Sequence, residues 1–282
     1  MIRFGTWLLA ALGMAASGAA ADTPLERGKY LVEGILTCGN CHTPRVQSGA
    51  LDAARLHAGG PQSWETSEYK VKGANITPDR ETGIGGWSAN DVLRAIRDGV
   101  RPNGQQLSPQ MPYGYYKILT PADLKAVVVY VRSLPAVSSK VTASVYKVAK
   151  MHVDIPAGAD QPMPESAMKD PVKRGFYLVT IGHCMECHSP RMDGRSDLTA
   201  LGKGGEKFEG PWGVSVSRNI TSHPVTGLGG WSDAEIKRAI MQGVGKDGRK
   251  LLPPMGFAWY ARMTEPDLDA IVAYLRTVPP LE

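Results

Sequence analysis

Two copies of the motif Cys-x-x-Cys-His, at positions 38–42 and 184–188, contain all four cysteines of this 282-residue chain. This spacing is typical of covalent attachment of c-type haem. Two thiols add to the vinyl groups of one haem, and the adjacent histidine binds the iron. The motifs therefore predict two covalently attached haem c groups and redox chemistry. The candidate attachment and proximal residues are Cys38, Cys41, His42, Cys184, Cys187 and His188.

Other uses of paired cysteines explain the motif less well. A zinc site would need both pairs close together, although 146 residues separate them, and it would leave the following histidines unexplained. Disulfide bonds would leave the same histidines unexplained. Haem attachment is the interpretation that uses every residue of the motif.

The second axial ligand of each iron is a separate inference, for which Met111 and Met255 are the candidates. Nine methionines follow residue 21, and only these two recur at corresponding positions. They lie 69 and 67 residues after His42 and His188, each in a proline-containing loop. Ligation by histidine and methionine is a known haem arrangement that raises the reduction potential. The alternative is core packing, the usual role of methionine.

Histidine is the rival ligand type for this second position. None of the remaining histidines recurs in both units, so we expect structural or solvent-exposed roles for them. These residues are His57, His152, His183 and His223.

Two further residue pairs are candidates for contacts with haem propionates. Arg45 and Arg191 follow the attachment motifs, in Thr-Pro-Arg and Ser-Pro-Arg, and Trp87 and Trp231 follow glycine-rich loops. Buried carboxylates need hydrogen-bond donors, which a guanidinium or an indole N–H can supply. The alternatives are solvated arginines and tryptophans of the core.

The elements around the motifs are duplicated as well. Arg-Gly-x-Tyr-Leu-Val precedes both motifs, and Asn-Ile-Thr follows both. The segment 82–88, Thr-Gly-Ile-Gly-Gly-Trp-Ser, recurs at 226–232 with leucine in place of isoleucine. The chain is therefore predicted to be a tandem pair of similar units.

Each unit has three helix signals. The first helix precedes the haem motif, and in the second unit it begins at Asp170-Pro171. The second helix follows the tryptophan, where Ser88-x-x-Asp91 and Ser232-x-x-Glu235 are capping-box patterns. The third begins near Thr120 and Thr264 and is expected to end at Pro135 and Pro279. No convincing alternating strand pattern is present, so a mostly α fold is predicted, a small helical bundle in each unit.

The predicted organisation has four parts, namely a signal peptide (1–21), a first domain (22–135), an inter-domain linker (136–169) and a second domain (170–282). Within the linker, residues 157–164 have linker composition. Residues 141–155 are more apolar, which is compatible with packing across one domain, and the sequence assigns them no role.

The N-terminus predicts export. Arg3, the apolar run 4–16 and Ala19-Ala20-Ala21 match a secretory signal peptide, and the run is too short to favour a membrane span. An uncleaved anchor is the alternative. We therefore expect a periplasmic protein of 261 residues after cleavage. The formal net charge of +5 is offset by haem propionates, and no basic cluster supports nucleic-acid binding.

As a whole, the sequence resembles the cytochrome c subunits of membrane-bound bacterial alcohol and gluconate dehydrogenases, and related subunits of molybdenum hydroxylases. The resemblance rests on the motifs quoted above, on Cys-His-Thr-Pro after the first haem motif and Pro-x-Met, and on the final Ala-Tyr-Leu-Arg-x-x-Pro. It implies two tandem class I cytochrome c domains and implies Met111 and Met255 as ligands. Those subunits commonly have three haem domains, whereas this chain has two motifs.

The resemblance implies electron transfer rather than catalysis. A dehydrogenase catalytic subunit would be the electron donor, and a quinone, an oxidase or another cytochrome the acceptor. Peripheral membrane association would come through a partner. The alternative is a dihaem enzyme, such as a cytochrome c peroxidase or a thiosulfate dehydrogenase. The near-identical ligand loops of the two units argue against such a division of labour.

Overall fold

The structure is a computed structural model that describes residues 22–192, 195–210 and 212–282. The predicted signal peptide, residues 1–21, lies outside this part of the chain. Most of the regular structure is helical, as predicted, and forms two similar units. No helix among the described residues has both the length and the apolar character needed to cross a bilayer.

Each unit has three longer helices and two short ones. One short helix carries the haem motif, and the other follows the methionine loop. The first unit contains α1 (Pro24–Glu33), α2 (Cys38–His42), α3 (Ala89–Asp98), α4 (Tyr113–Tyr116) and α5 (Pro121–Ser133). The second contains α6 (Pro171–Ile181), α7 (Cys184–Cys187), α8 (Asp233–Gln242), α9 (Phe257–Tyr260) and α10 (Glu265–Leu275).

The structure adds short strands between the helices, which the sequence pattern did not indicate. The strands are β1 (Ser63–Glu65), β2 (Tyr69–Lys72), β3 (Val145–Tyr146), β4 (Arg191–Met192), β5 (Arg195–Ser196), β6 (Lys207–Gly210) and β7 (Gly213–Val216). They form the antiparallel sheets β1-β2-β3, β4-β5 and β6-β7. Strands of two to four residues are too short to show a period-two pattern.

Most of the predicted helix ends are confirmed. Ser88 and Ser232 each form a complete capping box, and Gly99 and Gly243 end the same two helices in the left-handed conformation. Two details differ. Helix α10 ends at Leu275, four residues before the predicted stop at Pro279. Thr264 stands at its N-cap without a side-chain cap bond.

In each unit the first helix crosses the last one at a glycine. A Cβ atom on Gly28 would lie 2.0 Å from the carbonyl oxygen of Ala126, and one on Gly175 would lie 1.9 Å from that of Ala270. No side chain fits in these spaces, so glycine sets the distance between α1 and α5 and between α6 and α10. The duplicated Arg-Gly-x-Tyr-Leu-Val stretch thus encodes a helix crossing.

The two units share one continuous core and a nearly symmetric contact. Tyr30 of the first unit donates a hydrogen bond to Asp267 of the second (2.5 Å), and the corresponding Tyr177 donates to Asp123 (2.7 Å). Each aspartate also accepts from an arginine of its own unit, Arg27 for Asp123 and Arg174 for Asp267. Each unit therefore offers the same surface to the other, as at a two-fold axis. One cluster of buried apolar residues continues through both units.

Candidate functional site

Each attachment motif lies on a short helix of its own. Helix α2 contains the whole first motif, and α7 contains the second up to Cys187, with His188 directly after it. The residue before each motif, Thr37 or His183, has a positive φ, 48° and 42° respectively. Non-glycine residues rarely adopt this conformation. Its recurrence in front of both motifs indicates that it starts the turn that presents the thiols.

The cysteine thiols are held in apolar surroundings. Burial raises the pKa of Cys38 to about 12, that of Cys41 to about 11, and those of Cys184 and Cys187 to about 12. Within a unit, two cysteines three residues apart on one turn present their thiols to one side, as attachment to a single haem requires.

A backbone carbonyl fixes the orientation of each motif histidine. Nδ1 of His42 lies 2.7 Å from the carbonyl oxygen of Ala74, and Nδ1 of His188 lies 2.7 Å from that of Arg218. A carbonyl only accepts, so Nδ1 carries the proton and donates it, which leaves Nε2 as the nitrogen available to iron. Burial lowers the pKa of both imidazoles and so favours the neutral, ligating form.

The repeated Asn-Ile-Thr motif anchors the glycine loop. Asn75 donates to the hydroxyl of Thr82 (3.0 Å) and to the carbonyl of Val137 (2.8 Å), and its side-chain oxygen accepts from Thr77. The second unit repeats the arrangement around Asn219. The motif therefore ties the loop to the chain beyond the closing helix.

The candidate axial methionines occupy corresponding turns, which precede α4 and α9. The amide of Tyr113 donates to the carbonyl of Met111 (2.7 Å), and that of Phe257 donates to the carbonyl of Met255 (3.0 Å). Both methionine side chains are partly buried against the core. Their ligation of iron stays a prediction.

The four candidate propionate contacts stay predictions too. Trp87 and Trp231 pack partly buried against the core. Their backbone carbonyls accept from Arg132 and Arg276 of the closing helices or just beyond, both at 2.5 Å. The guanidinium of Arg45 donates to the carbonyl of Gly49 (2.9 Å). That of Arg191 lies 3.7 Å from the carboxylate of Glu186.

Sequence reasoning missed four aromatic side chains beside the motifs, on α4 and α9. Trp259 of the second unit reaches Gly39 inside the first motif, where an added Cβ would lie 2.2 Å from the ring. Its counterpart Tyr115 is buried near Glu186 of the second motif, and burial and that carboxylate raise the pKa of Tyr115. Trp259 thus packs against the first unit's motif, and Tyr115 lies in the neighbourhood of the second unit's motif.

The neighbouring tyrosines, Tyr116 and Tyr260, lie next to the thiols of their own units. Burial raises the pKa of both hydroxyls well above the ordinary value, and the nearby cysteines raise it further. The only sequence signal for the four rings is their recurrence 144 residues apart, directly after the methionine loops.

His57 is the main difference between the two sites. It is 1% exposed, it has a φ of 63°, and neither ring nitrogen has a hydrogen-bond partner among the described residues. Burial and the nearby His42 lower its pKa to about 4. In the second unit the corresponding residue is Gly202, with a φ of 83°. A structural or solvent-exposed role was expected for His57, and its burial excludes the solvent-exposed one.

These residues fit covalent haem c. Each unit offers two partly buried thiols on one turn and an imidazole whose Nε2 is directed by a carbonyl bond at Nδ1. The backbone around the first motif is tightly packed, since a Cβ on Gly60 would lie 1.8 Å from the carbonyl oxygen of Cys41. Cys38, Cys41 and His42 would hold one group, and Cys184, Cys187 and His188 the other.

Comparison with known proteins agrees with this geometry. A family model described as cytochrome c matches residues 25–135 and again 172–279, which is more than half of the chain. The chain belongs to the cytochrome c family. Membership implies covalent haem c, and the prediction of tandem cytochrome c domains in a mostly helical fold is confirmed.

The cytochrome is similar to subunits of known dehydrogenases. It is 30% identical to the fructose dehydrogenase cytochrome subunit of Gluconobacter japonicus, over 93% of this chain and 54% of the relative. It is 30% identical to the cytochrome c subunit of the quinone-dependent alcohol dehydrogenase of Gluconacetobacter polyoxogenes, over 98% of this chain and 62% of the relative. The chain thus spans little more than half of their lengths.

A third relative is closer in length. It is the diheme cytochrome c-type protein of Cereibacter sphaeroides, which is 29% identical over 87% of this chain and 83% of that protein. The resemblance to cytochrome c subunits of dehydrogenases, predicted from the motifs, is confirmed by these relatives, and both dehydrogenase relatives are named as cytochrome subunits rather than catalytic ones.

Proposed function

We propose that this cytochrome carries one covalent haem c in each unit and passes electrons from a partner dehydrogenase to a respiratory acceptor. That acceptor would be a quinone, an oxidase or another cytochrome. The observation that carries the proposal is that the two units share an interface at the motifs, where Trp259 of the second unit packs on Gly39 of the first motif. A chain that places two attachment motifs against one shared interface is suited to moving electrons between them.

The side chains that would hold the iron are His42 and Met111 in the first unit and His188 and Met255 in the second. Each histidine has its Nε2 free for this role, because Nδ1 donates to a backbone carbonyl. Each bound haem supplies a one-electron ferric/ferrous couple. Two protein ligands for each iron would leave no open site for a substrate. This arrangement favours electron transfer over peroxidase or thiosulfate dehydrogenase chemistry.

Buried aromatic side chains lie next to the motifs. Tyr116 is 3% exposed and Tyr260 8%, and both adjoin the thiols of their own motif. Rigid aromatic side chains hold the two sites at a fixed separation. A partly buried, fixed environment tunes the reduction potential and limits reorganisation when an electron moves.

The donor is proposed from the relatives. The fructose and alcohol dehydrogenase relatives are cytochrome subunits, which supports a dehydrogenase catalytic subunit as the partner. The signal-peptide pattern of residues 1–21 supports a periplasmic location. Peripheral membrane association would then come through the partner complex.

Purified holoprotein tests this function. We expect two haems per chain by pyridine haemochrome assay and no binding of carbon monoxide to the reduced protein. A dehydrogenase catalytic subunit of the class that the relatives serve, supplied with its substrate, should reduce both haems. Rapid carbon monoxide binding at one haem together with peroxide turnover would establish an enzyme instead. Lack of reduction by the dehydrogenase would exclude it as the donor.

A further inference from the structure

The loop that carries Met111 is held from outside by a segment of the inter-domain stretch. This loop, residues 99–112, joins α3 to α4 and is here called the Met111 loop. Residues 145–154, here called the strap, begin with β3, which adds a third strand to the hairpin of β1 and β2. The strap lies within the apolar stretch to which the sequence assigned no role.

One contact of the strap reaches the residue directly before Met111. Met151 of the strap packs in a small buried cluster with Tyr69 and Val71 of β2. The hydroxyl of Tyr69 accepts a hydrogen bond from the side-chain amide of Gln110 at 3.0 Å. The strap therefore packs on the tyrosine that holds the neighbour of the candidate axial ligand.

A second contact joins the strap to the middle of the Met111 loop. The backbone amide of Met151 donates to Oε1 of Gln106 (3.1 Å), and Nε2 of Gln106 donates to the hydroxyl of Tyr113 (2.7 Å). Tyr113 begins α4, and its own backbone amide donates to the carbonyl of Met111 (2.7 Å). A continuous chain of hydrogen bonds thus runs from the strap to the backbone of Met111.

The far end of the strap lies against α4 and reaches the second unit. A Cβ on Gly114 would lie 2.4 Å from Cγ1 of Val153 and 2.8 Å from the carbonyl oxygen of Asp154. The carboxylate of Asp154 accepts from the backbone amide of Ser196 in the second unit (2.9 Å). The strap is therefore fixed at both ends, by strand pairing at β3 and by this bond at Asp154.

The corresponding loop of the second unit, residues 243–256, lacks these contacts and is here called the Met255 loop. At an offset of 144 residues, Gly213 replaces Tyr69 and Pro254 replaces Gln110, so neither partner of the bond beside the methionine is present. Lys250, which is exposed, replaces Gln106. Within the described parts of the chain, no strand pairs with the outer edge of β7.

Other residues of the second unit hold the Met255 loop. The hydroxyl of Ser215 on β7 donates to the carbonyl of Pro253 (2.6 Å). The ammonium group of Lys246 donates to the carbonyl of Gly230, in the glycine-rich loop before α8. The first unit has Val71 and Pro102 at the positions of Ser215 and Lys246, and neither has a side-chain donor. The two methionine loops are thus held by different contacts.

We propose that the strap is the positioning element of the first axial methionine, and that Tyr69, Gln106 and Gln110 connect it to the Met111 loop. This inference rests on the proposed function, in which Met111 is a ligand of the first iron. Side chains that orient a ligand tune the metal that it binds, and a thioether ligand raises the potential of haem. Because the second methionine is held without a strap, the contacts that secure each ligand can set the two potentials separately.

Cyanide measures how firmly each methionine is held, because it binds ferric haem in place of the thioether. Its apparent affinity rises with the fraction of molecules in which the thioether has left the iron. Oxidised holoprotein is titrated with cyanide and followed by visible absorption, and the potentials are measured separately. The Met111→Ala and Met255→Ala proteins show which spectral change belongs to which haem.

Tyr69→Phe removes only the hydroxyl that accepts from Gln110. We expect the apparent cyanide affinity of the first haem to rise about two- to tenfold and its potential to fall, with the second haem unchanged. Tyr146→Phe is the matched control, because Tyr146 lies directly opposite Tyr69 in the sheet and its hydroxyl has no hydrogen bond to the described residues. This control should leave both haems at wild-type values.

Met151→Ala tests the strap itself, since it leaves the Met111 loop unaltered and removes the side chain that packs on Tyr69. We expect a change at the first haem in the same direction as for Tyr69→Phe. Val148→Ala, at a strap position where the side chain is 36% exposed, is the control and should change neither haem.

The outcomes separate this inference from the proposed function. If Met111→Ala opens the first haem while Tyr69→Phe and Met151→Ala leave cyanide affinity and potential unchanged, the strap does not position the ligand, although the proposed function stands. Equal changes at both haems would show a general loosening of the protein and would also overturn the inference. If Met111→Ala itself changes neither spectrum nor potential, the ligand assignment within the proposed function fails, and this inference fails with it.

Discussion

A single hydrogen bond determines how each motif histidine is presented. The carbonyls of Ala74 and Arg218, each 2.7 Å from Nδ1, occupy corresponding positions. The sequence could not reveal these partners, because a backbone carbonyl has no residue signature. The sequence did reveal the histidines themselves. Each directly follows the second cysteine of its motif, and covalent attachment of haem requires that spacing.

The axial methionines give the sharpest residue-level prediction. Replacing Met111 or Met255 by Ala removes a thioether that favours ferrous iron, so the potential of the corresponding haem should fall. The vacated position should also bind carbon monoxide in the reduced state. Potentiometric titration and carbon monoxide difference spectra measure the two effects.

Met192 offers the control for this experiment, because its side chain is 66% exposed. Met192→Ala should leave spectrum and potentials unchanged. A Met111→Ala or Met255→Ala protein with wild-type potentials would show that the replaced residue is not a ligand.

At the scale of elements, helix ends were predictable and strands were not. Ser88 and Ser232 predict where their helices begin, because a capping box is formed by residues within four positions of sequence. The strand β3 depends on pairing between residues 70 and 145, which no local pattern records. The end of α10 at Leu275 likewise depends on packing rather than on Pro279, which only prevents further extension.

The glycines of the helix crossings are a second element-level feature. Alanine is the better helix former by about 1 kcal/mol, so propensity alone predicts that Gly175→Ala stabilises α6. The Cβ, however, would lie 1.9 Å from the backbone oxygen of Ala270, which cannot move aside alone. We expect net destabilisation of about 1–3 kcal/mol, as for overpacked cores.

Chemical denaturation of the holoprotein measures this change. Lys173→Ala, at an exposed position of the same helix, is the control and should stay within about 0.5 kcal/mol of wild type. A stabilised Gly175→Ala protein would mean that α6 and α10 can separate without loss.

At the scale of the molecule, the same tyrosine–aspartate pair occurs twice in the contact between the units, and each pair joins one unit to the other. Tyr177 is 0% exposed, and its hydroxyl reaches Asp123 of the other unit. Tyr177→Phe should cost about 1.5–3 kcal/mol, because the lost hydrogen bond has a charged acceptor. Tyr30→Phe, at the half-buried counterpart, should cost less. Equilibrium unfolding of each variant measures the difference.

Tyr146→Phe is the control for these substitutions, because its hydroxyl has no hydrogen bond to the described residues and lies away from this contact. Equal losses for all three variants would contradict a specific role of the tyrosine–aspartate bonds between the units.

The contact at the first motif gives a prediction that links packing to electron transfer. A Cβ on Gly39 would lie 2.2 Å from Cη2 and 2.6 Å from Cζ2 of Trp259, which is 5% exposed. Gly39→Ala should therefore force the indole out of its place and loosen the contact between the units. We expect a loss of about 1–3 kcal/mol in the free energy of unfolding. Electron exchange between the haems should also slow, as measured by flash photolysis of partly reduced protein.

Two further variants decide whether the indole is the cause. Gly86→Ala adds the same methyl group where a Cβ meets no atom within 4 Å, so it should leave stability and exchange unchanged. Adding Trp259→Phe to Gly39→Ala should recover part of the loss, because the smaller ring leaves room for the methyl group. If the double variant is no better than Gly39→Ala alone, the loss arises within the first motif itself. The ring of the second unit would then have no part in it.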